Sequence, residues 1–274
     1  MRAAALVAWL ALAGTASAQE TTAVTLRLHP RVGDTLHTTL EQQTEVTAVM
    51  PGNAAASTRS VTTSVVIHSR AIVRSVQQMT TTVLTIVDSA VLGSTDAHAA
   101  TMIAEAQRAL QGQQLTLQLG ADGSVESARD ARGALVPRDV ADAMAAMPAV
   151  FPRKPVAVGQ SWTREMPLPA GGPVGARGSG HAKAVFRLDS LQRGGAIAYV
   201  SMRGDILPDS ASQGVQLSGS IGGTMQLDRA RGWMTDSRVL ITLRSVIAPP
   251  AAAGLAPMTF MTRVTQRLRT MDRR

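Results

Sequence analysis

The side chains able to do chemistry are few, and their spacing is poor for it. Five histidines, His29, His37, His68, His98 and His181, lie far apart. A metal site draws imidazoles or carboxylates from short, regular spacings, and His-Glu-x-x-His is absent. Three of these histidines fall on expected strands and could converge, but no ligand spacing supports it. A hydrolase elbow needs glycine two residues before and after its serine, so that a strained turn presents the hydroxyl. "LSGSIGG" at 217–223 comes near, but Ser218 stands where the first glycine belongs. Neither Lys154 nor Lys183 follows a serine at the Ser-x-x-Lys spacing, and no Gly-Lys exists to open a phosphate-cradling loop. Paired carboxylates for glycoside chemistry are defined by spatial separation, not by motif. Glu41 with Glu45, and Asp205 with Asp209, are the near neighbours of that kind. The expectation is a non-catalytic protein with no catalytic residues, no metal site and no cofactor.

Two groups of residues suit binding instead. Met102, Met144 and Met147, with Phe151 and Trp162 after them, are candidates to line a soft cavity for an acyl chain, because methionine packs adaptably. The competing reading is an ordinary helix-on-sheet core. Arg263, Arg267 and Arg269 share one face of an expected strand. They are candidates to contact an anionic lipid surface or an acidic partner; the plainer reading is a solvated edge that discourages aggregation.

Those residues need elements to hold them. The chain opens "MRAAALVAWLALAGTASAQE", with Arg2 the only charge before Glu20, an apolar run from Ala3 to Leu12, and the small-x-small pattern Ala16-Ser17-Ala18. This reads as a secretory signal over 1–18, cleaved near Ala18, too short for a membrane span. The expected product is periplasmic or secreted, soluble, and without a transmembrane segment. With no cysteine there is no site for a lipoprotein anchor and no disulfide, and 256 remaining residues can build a core without one. The charge of the whole chain is +8, carried almost entirely by arginine. It favours solubility or attraction to anionic surfaces and says nothing about fold. Six aromatic residues remain after residue 18, too few for the stacking platforms of a nucleic-acid binder.

The dominant pattern is alternation with period two, rich in Thr and Val. "AVTLRLH" puts Val24, Leu26 and Leu28 on one face; "PMTFMTRVTQRL" puts Met258, Phe260, Val264 and Leu268 on one face and Thr259, Met261, Arg263, Thr265 and Arg267 on the other. Such segments are half-buried antiparallel strands. Runs at 34–50, 58–77, 80–92 and 236–247 exceed ordinary strand length, and long strands coil, which favours a curved sheet or partial barrel. Two segments break the pattern. "DAHAATMIAEAQRAL", capped by Asp96, predicts a helix near 96–110; "VPRDVADAMAAM" predicts another near 137–147, stopped by Pro148. Both are expected to lie across the concave face.

An internal repeat is expected from three landmarks in the same order. Val32-Gly33-Asp34-Thr35-Leu36 matches Val158-Gly159-Gln160-Ser161-Trp162. Arg70-Ala71-Ile72-Val73-Arg74 matches Lys183-Ala184-Val185-Phe186-Arg187, and "LTLQLGADGSV" matches "GTMQLDRARGWM". The domain reading is a first β-rich unit over 19–148, carrying both helices, and a second over 149–274. Gly/Pro-rich 167–180 and charge-free 247–257 read as loops, the latter an apolar tip or a plain spacer.

The segment "FPRKPVAVGQSW" and the "QLDRARGWM" hairpin resemble an uncharacterised group of exported bacterial proteins with a Pro-x-Lys-Pro-Val-x-Val-Gly-x-Ser-Trp segment before a β-rich half; the likeness covers mainly 151–245 and implies no activity. A looser architectural likeness is to periplasmic lipoprotein carriers, half-open β-barrels with helices in the concave face. The fold class is therefore α+β, mainly antiparallel β: two related curved-sheet, half-barrel-like units with one or two helices on the sheets. The function expected is binding of a hydrophobic or lipid-like ligand in a concave sheet. The alternative is a structural or protein-interaction module of the cell envelope, with a hydrolase behind both.

Overall fold

The computed structural model describes residues 23–50, 57–136, 150–167, 180–208, 215–247 and 256–271. The segment read as a signal, the helix expected at 137–147, and most of the 167–180 and 247–257 loops lie outside these. The strands are β1 (Thr35–Met50), β2 (Ser57–Gln77), β3 (Thr80–Ser94), β4 (Gln114–Gly120), β5 (Val125–Asp130), β6 (Ser161–Pro167), β7 (Gly180–Gln192), β8 (Ile197–Pro208), β9 (Val215–Asp228), β10 (Trp233–Ile247) and β11 (Met258–Met271). A 3₁₀ turn, Ala97–Ala99, leads into α1 (Ala100–Leu110) between β3 and β4.

All the strands join one antiparallel, open sheet in the order β5-β4-β3-β2-β1-β11-β10-β9-β8-β7-β6. The first and last strands meet in its middle, with Leu40 opposite Leu268 and Val46 opposite Thr262. Strands before residue 148 therefore fill one side and strands after it the other. The long runs read from alternation are β1, β2, β3 and β10, and the faces assigned to β11 are those observed, Leu268 buried and Arg263 exposed.

The sheet is strongly curled. Arg164 on edge strand β6 reaches Asp122, in the turn after β4 at the opposite side of the sheet, at 3.4 Å. Glycines make the curl possible. A Cβ on Gly204 would lie 2.2 Å from the Lys183 carbonyl oxygen, on Gly219 2.2 Å from that of Thr242, and on Gly223 2.1 Å from that of Arg238. Only a residue without a side chain lets neighbouring backbones approach so closely.

Inside the curl lies a core fed by most of the strands, with Phe151, Phe186, Leu188, Leu227 and Met234 almost wholly buried. Burying each such side chain is worth about 1.5–3 kcal/mol. Residues 24–29 complete it, and here the expectation of a strand needs correcting. Val24, Leu26 and Leu28 are buried and Thr25, Arg27 and His29 exposed, as alternation requires. The segment nevertheless joins no strand ladder. It makes one bridge, Val24 to Val156, and its amides bond loop carbonyls: Leu28 to Ala121 at 2.8 Å and His29 to Gly232 at 2.9 Å. Alternation records which side is buried, not what buries it.

The helix near 96–110 forms, and Asp96 caps its 3₁₀ entry by accepting from the His98 amide. It does not span the concave face. β4 pairs with β3 only along Thr80–Ile86, and α1 runs beside the uncovered remainder, where Gln107 Oε1 accepts from the Leu92 amide at 3.2 Å. No residue of α1 is buried. The helix covers a sheet edge, a common protection against unwanted pairing.

The two Val-Gly turns are built alike. Gly33 and Gly159 have φ of 90° and 87°, the left-handed region that favours glycine. The Gly33 amide donates to Val73 O while the Val73 amide donates to Asp34 O; the Gly159 amide donates to Leu188 O while the Leu188 amide donates to Gln160 O. Val73 thus corresponds to Leu188, two residues away from the sequence match of Val73 with Phe186. A shift of two keeps the same face of the strand, so alternation alone could not set the register.

Candidate functional site

Pairing registers define rows of side chains across the inner face. One row runs Ile206, Gly219, Leu243, Thr262, Val46, Val61. The next, one step toward the core, is Gly204, Ile221, Ile241, Val264, Thr44, Thr63. Beyond it come Met202, Gly223, Val239, Gln266, Gln42 and Val65. These rows carry no charge. Their β9–β10 side is aliphatic. Their β11–β1–β2 side mixes aliphatic residues with uncharged hydrogen-bonding ones; Gln42 Nε2 donates to Thr44 Oγ1 at 3.4 Å. The charged inward residue Arg59 sits a row further out, paired with Asp96 at 3.4 Å.

Burial along these rows is uneven. Toward the 24–36 end the inner face is filled. Away from it, Ile241, Leu243, Val264, Phe260, Val46 and Val61 point inward yet are only half-buried. Ile206, Leu217 and Ile221 on β8 and β9 are buried, as are Ser245 and Thr262, at 1% and 7% exposed, and neither of the two hydroxyls has a hydrogen-bond partner. Ser245 lies between Leu217 and Phe260, and Thr262 between Leu243 and Val46. These two were not singled out by sequence, because Ser and Thr are ordinary on strands of this composition.

Of the residues expected to line a cavity, the three described ones, Met102, Phe151 and Trp162, are not gathered there. Met102 is 67% exposed on α1, beside β3. Phe151 is fully buried and Trp162 partly so, at the β6 edge, where Trp162 stacks on Phe186 with centroids 5.7 Å apart and donates through Nε1 to Val150 O at 2.7 Å. That corner is packed core. Met144 and Met147 lie outside the described residues.

The arginine ladder is on the outer face. Arg267 reaches Asp236 at 3.4 Å, Arg269 bonds Glu41, and Arg263 stands opposite Glu45 across the β1–β11 pair. Asp236 also takes Arg238 at 3.5 Å. Two of the three arginines are therefore tied to acids. Glu41 serves as an ion-pair partner, and Asp205 is an exposed residue of β8, with Asp209 outside the described residues.

Of the serine and histidine candidates, Ser220 of "LSGSIGG" is exposed in mid-β9, opposite Asp205 and Thr242, far from a strand-to-helix turn. His68 shares a hydrogen bond of 3.0 Å with Thr39 Oγ1, and His29 Nδ1 donates to Arg27 O at 3.2 Å. Among the described residues, no three histidines or acids stand close enough to hold a metal ion, and no helix is long and apolar enough to cross a membrane.

A hollow of about 460 Å³ lies between α1 and the free part of β3, bounded by Leu92, Ser94, Ile103 and Gln107. It is shallow and holds no unpartnered buried polar group among its described residues.

Comparisons with known proteins add little to this geometry. No curated protein matches the chain in sequence. Among solved structures, the COG4313 outer membrane channel from Pseudomonas putida F1 matches at 11% identity, covering 89% of this chain and 97% of that one, with a TM-score of 0.23. Outer membrane protein OprG from Pseudomonas aeruginosa matches at 7% identity, covering 89% and 99%, with a TM-score of 0.22. DynF from the dynemicin biosynthesis pathway of Micromonospora chersina matches at 10% identity, covering 90% and 84%, with a TM-score of 0.21. Scores this low carry no argument about fold or function. Residues 137–234, which include β6 to β9, match a family of unknown function, DUF6263.

Proposed function

We propose that this is an exported, non-catalytic protein of the cell envelope that holds a hydrophobic or lipid-like ligand against the concave face of its sheet. One observation carries this reading: inward aliphatic residues of β1, β2, β10 and β11 are only partly buried, although the same face is filled nearer the 24–36 segment. Apolar surface held open inside a curl is what an apolar guest requires. The N-terminal pattern at 1–18 supports export to the periplasm. The matching hydrogen bonds of the two Val-Gly turns support descent of the two sides of the sheet from one repeated unit. Native mass spectrometry of the protein recovered from its own periplasm tests the function. A co-purifying lipid mass, lost on delipidation, is the expected result; apo protein alone, with no uptake of added lipid, overturns it.

A second reading, an interaction module of the envelope, has one observation in its favour. β6 pairs with β7 along one side only, so the Ser161–Pro167 backbone offers an edge to an added strand. Crosslinking from position 163 to an envelope protein in cells would support it.

A further inference from the structure

The carrier reading leaves the chemistry of the guest open, and the hydroxyls of Ser245 and Thr262 narrow it. We propose that the guest is an uncharged single-chain amphiphile, an acyl ester or amide of the monoacylglycerol kind. Its carbonyl group would accept hydrogen bonds from Ser245 Oγ and Thr262 Oγ1 while its chain lies along the partly buried Leu243, Ile241 and Val264 of β10 and β11. This rests on the function proposed above and deepens it.

Three observations converge. First, both hydroxyls are buried and unpartnered. A buried hydroxyl without a partner is costly, so such groups are normally satisfied. Of the five other unpartnered buried groups among the described residues, three are Nε atoms of arginines that make other contacts, and the remaining two, Thr270 Oγ1 opposite Thr38 and Trp233 Nε1 at the start of β10, lie apart; Ser245 and Thr262 stand together amid apolar residues. Second, they are close and face the same way. Ser245 is opposite Phe260, and Thr262 is the next inward residue on β11. Diagonal neighbours of this kind are roughly 7 Å apart at Cα, a span that one ester or amide group can bridge between two hydroxyls. Third, the rows from Thr262 toward the core carry no charge, the one inward charge in the Ser245 row, Arg59, lies three strands away and is paired with Asp96, and the partly buried Leu243, Ile241 and Val264 continue the apolar path. A carboxylate or phosphate seated there would lose its hydration with no cation to compensate. Hydroxyl donors in an aliphatic setting suit a neutral carbonyl.

The test uses the mature chain and displacement of the neutral dye Nile red by 1-monolauroylglycerol or by laurate at pH 8. Wild type is expected to bind the ester at least tenfold more tightly than the anion. Thr262→Val and Ser245→Ala are each expected to weaken ester binding roughly tenfold, the loss of one hydrogen bond. In the ligand-free protein Thr262→Val should hold or raise Tm, because it removes an unsatisfied polar atom at nearly constant shape. A hydroxyl with a purely structural role would lower Tm and leave the ester-to-laurate ratio unchanged. Equal affinity for ester and laurate, or unchanged ester binding in both variants, overturns this inference and leaves the carrier reading standing. Wild type that binds neither dye nor amphiphile overturns both. Should Thr262→Val fail to fold, Ser245→Ala and the wild-type ratio still decide.

Discussion

Arg164, on the β6 edge, donates to Asp122 at 3.4 Å, in the turn beyond β4, and also to the Phe151 carbonyl. Residues remote along the sheet are thereby joined across its opening. Both side chains are mostly buried, so the pair is worth more than a surface ion pair. Arg164→Met is expected to cost about 1–3 kcal/mol, through the Phe151 carbonyl and the Asp122 Oδ2 left without their guanidinium partner. Urea unfolding followed by Trp162 fluorescence measures it, and an unchanged midpoint would show that the opening is held by apolar packing alone.

The curl depends on close backbone approach at Gly223. A Cβ there would lie 2.1 Å from the Arg238 carbonyl oxygen, whereas at Gly222 the nearest atom is 3.7 Å away. Gly223→Ala should therefore destabilise by more than about 3 kcal/mol or abolish folding, and Gly222→Ala by less than about 1 kcal/mol. Thermal denaturation of the two variants side by side separates steric contact from general loss of glycine.

At Gly33 nothing lies within 4 Å of an added Cβ, so its positive φ is the whole objection to a side chain. Gly33→Ala is expected to cost about 1–2 kcal/mol, and Gly33→Asn less, since asparagine tolerates that conformation. The comparison is read from equilibrium unfolding; equal losses would argue against backbone strain as the cause.

Phe186 is fully buried and stacked on Trp162. Phe186→Ala should cost about 3–5 kcal/mol, and Phe186→Leu less. Both should shift Trp162 emission, resolved from Trp233 in a Trp233→Phe background.

On the outer face, Asp236 pairs with Arg267 and Arg238 while remaining partly exposed. Asp236→Asn is expected to change stability by under about 1 kcal/mol, with the difference shrinking as salt rises. A larger, salt-insensitive loss would indicate a buried network in place of a solvated ladder.

Much of this fold is legible in the amino-acid pattern. Alternation located β1, β2, β3, β10 and β11, and the Asp96 cap located α1, because facial burial and capping act over a few residues. The site was less legible. Met102 and Trp162 were chosen by type, as adaptable and bulky apolar residues, but type does not say whether a neighbour fills the space beside them. Ser245 and Thr262 gave no signal, since a strand hydroxyl becomes notable only when its surroundings lack a partner.

The sequence by itself determined which side of each strand turns from water, where the Val-Gly turns fall, and that Asp96 caps the 3₁₀ entry to the one described α-helix. Tertiary structure decided that β1 pairs with β11, that 24–29 closes the core without joining the sheet, that α1 guards an edge, and that aliphatic residues are filled over at one end and left half-open at the other. The division has a physical cause. Facing and turning are set by neighbours within a few bonds, while pairing partners and packing depend on backbones brought together from opposite ends of the chain.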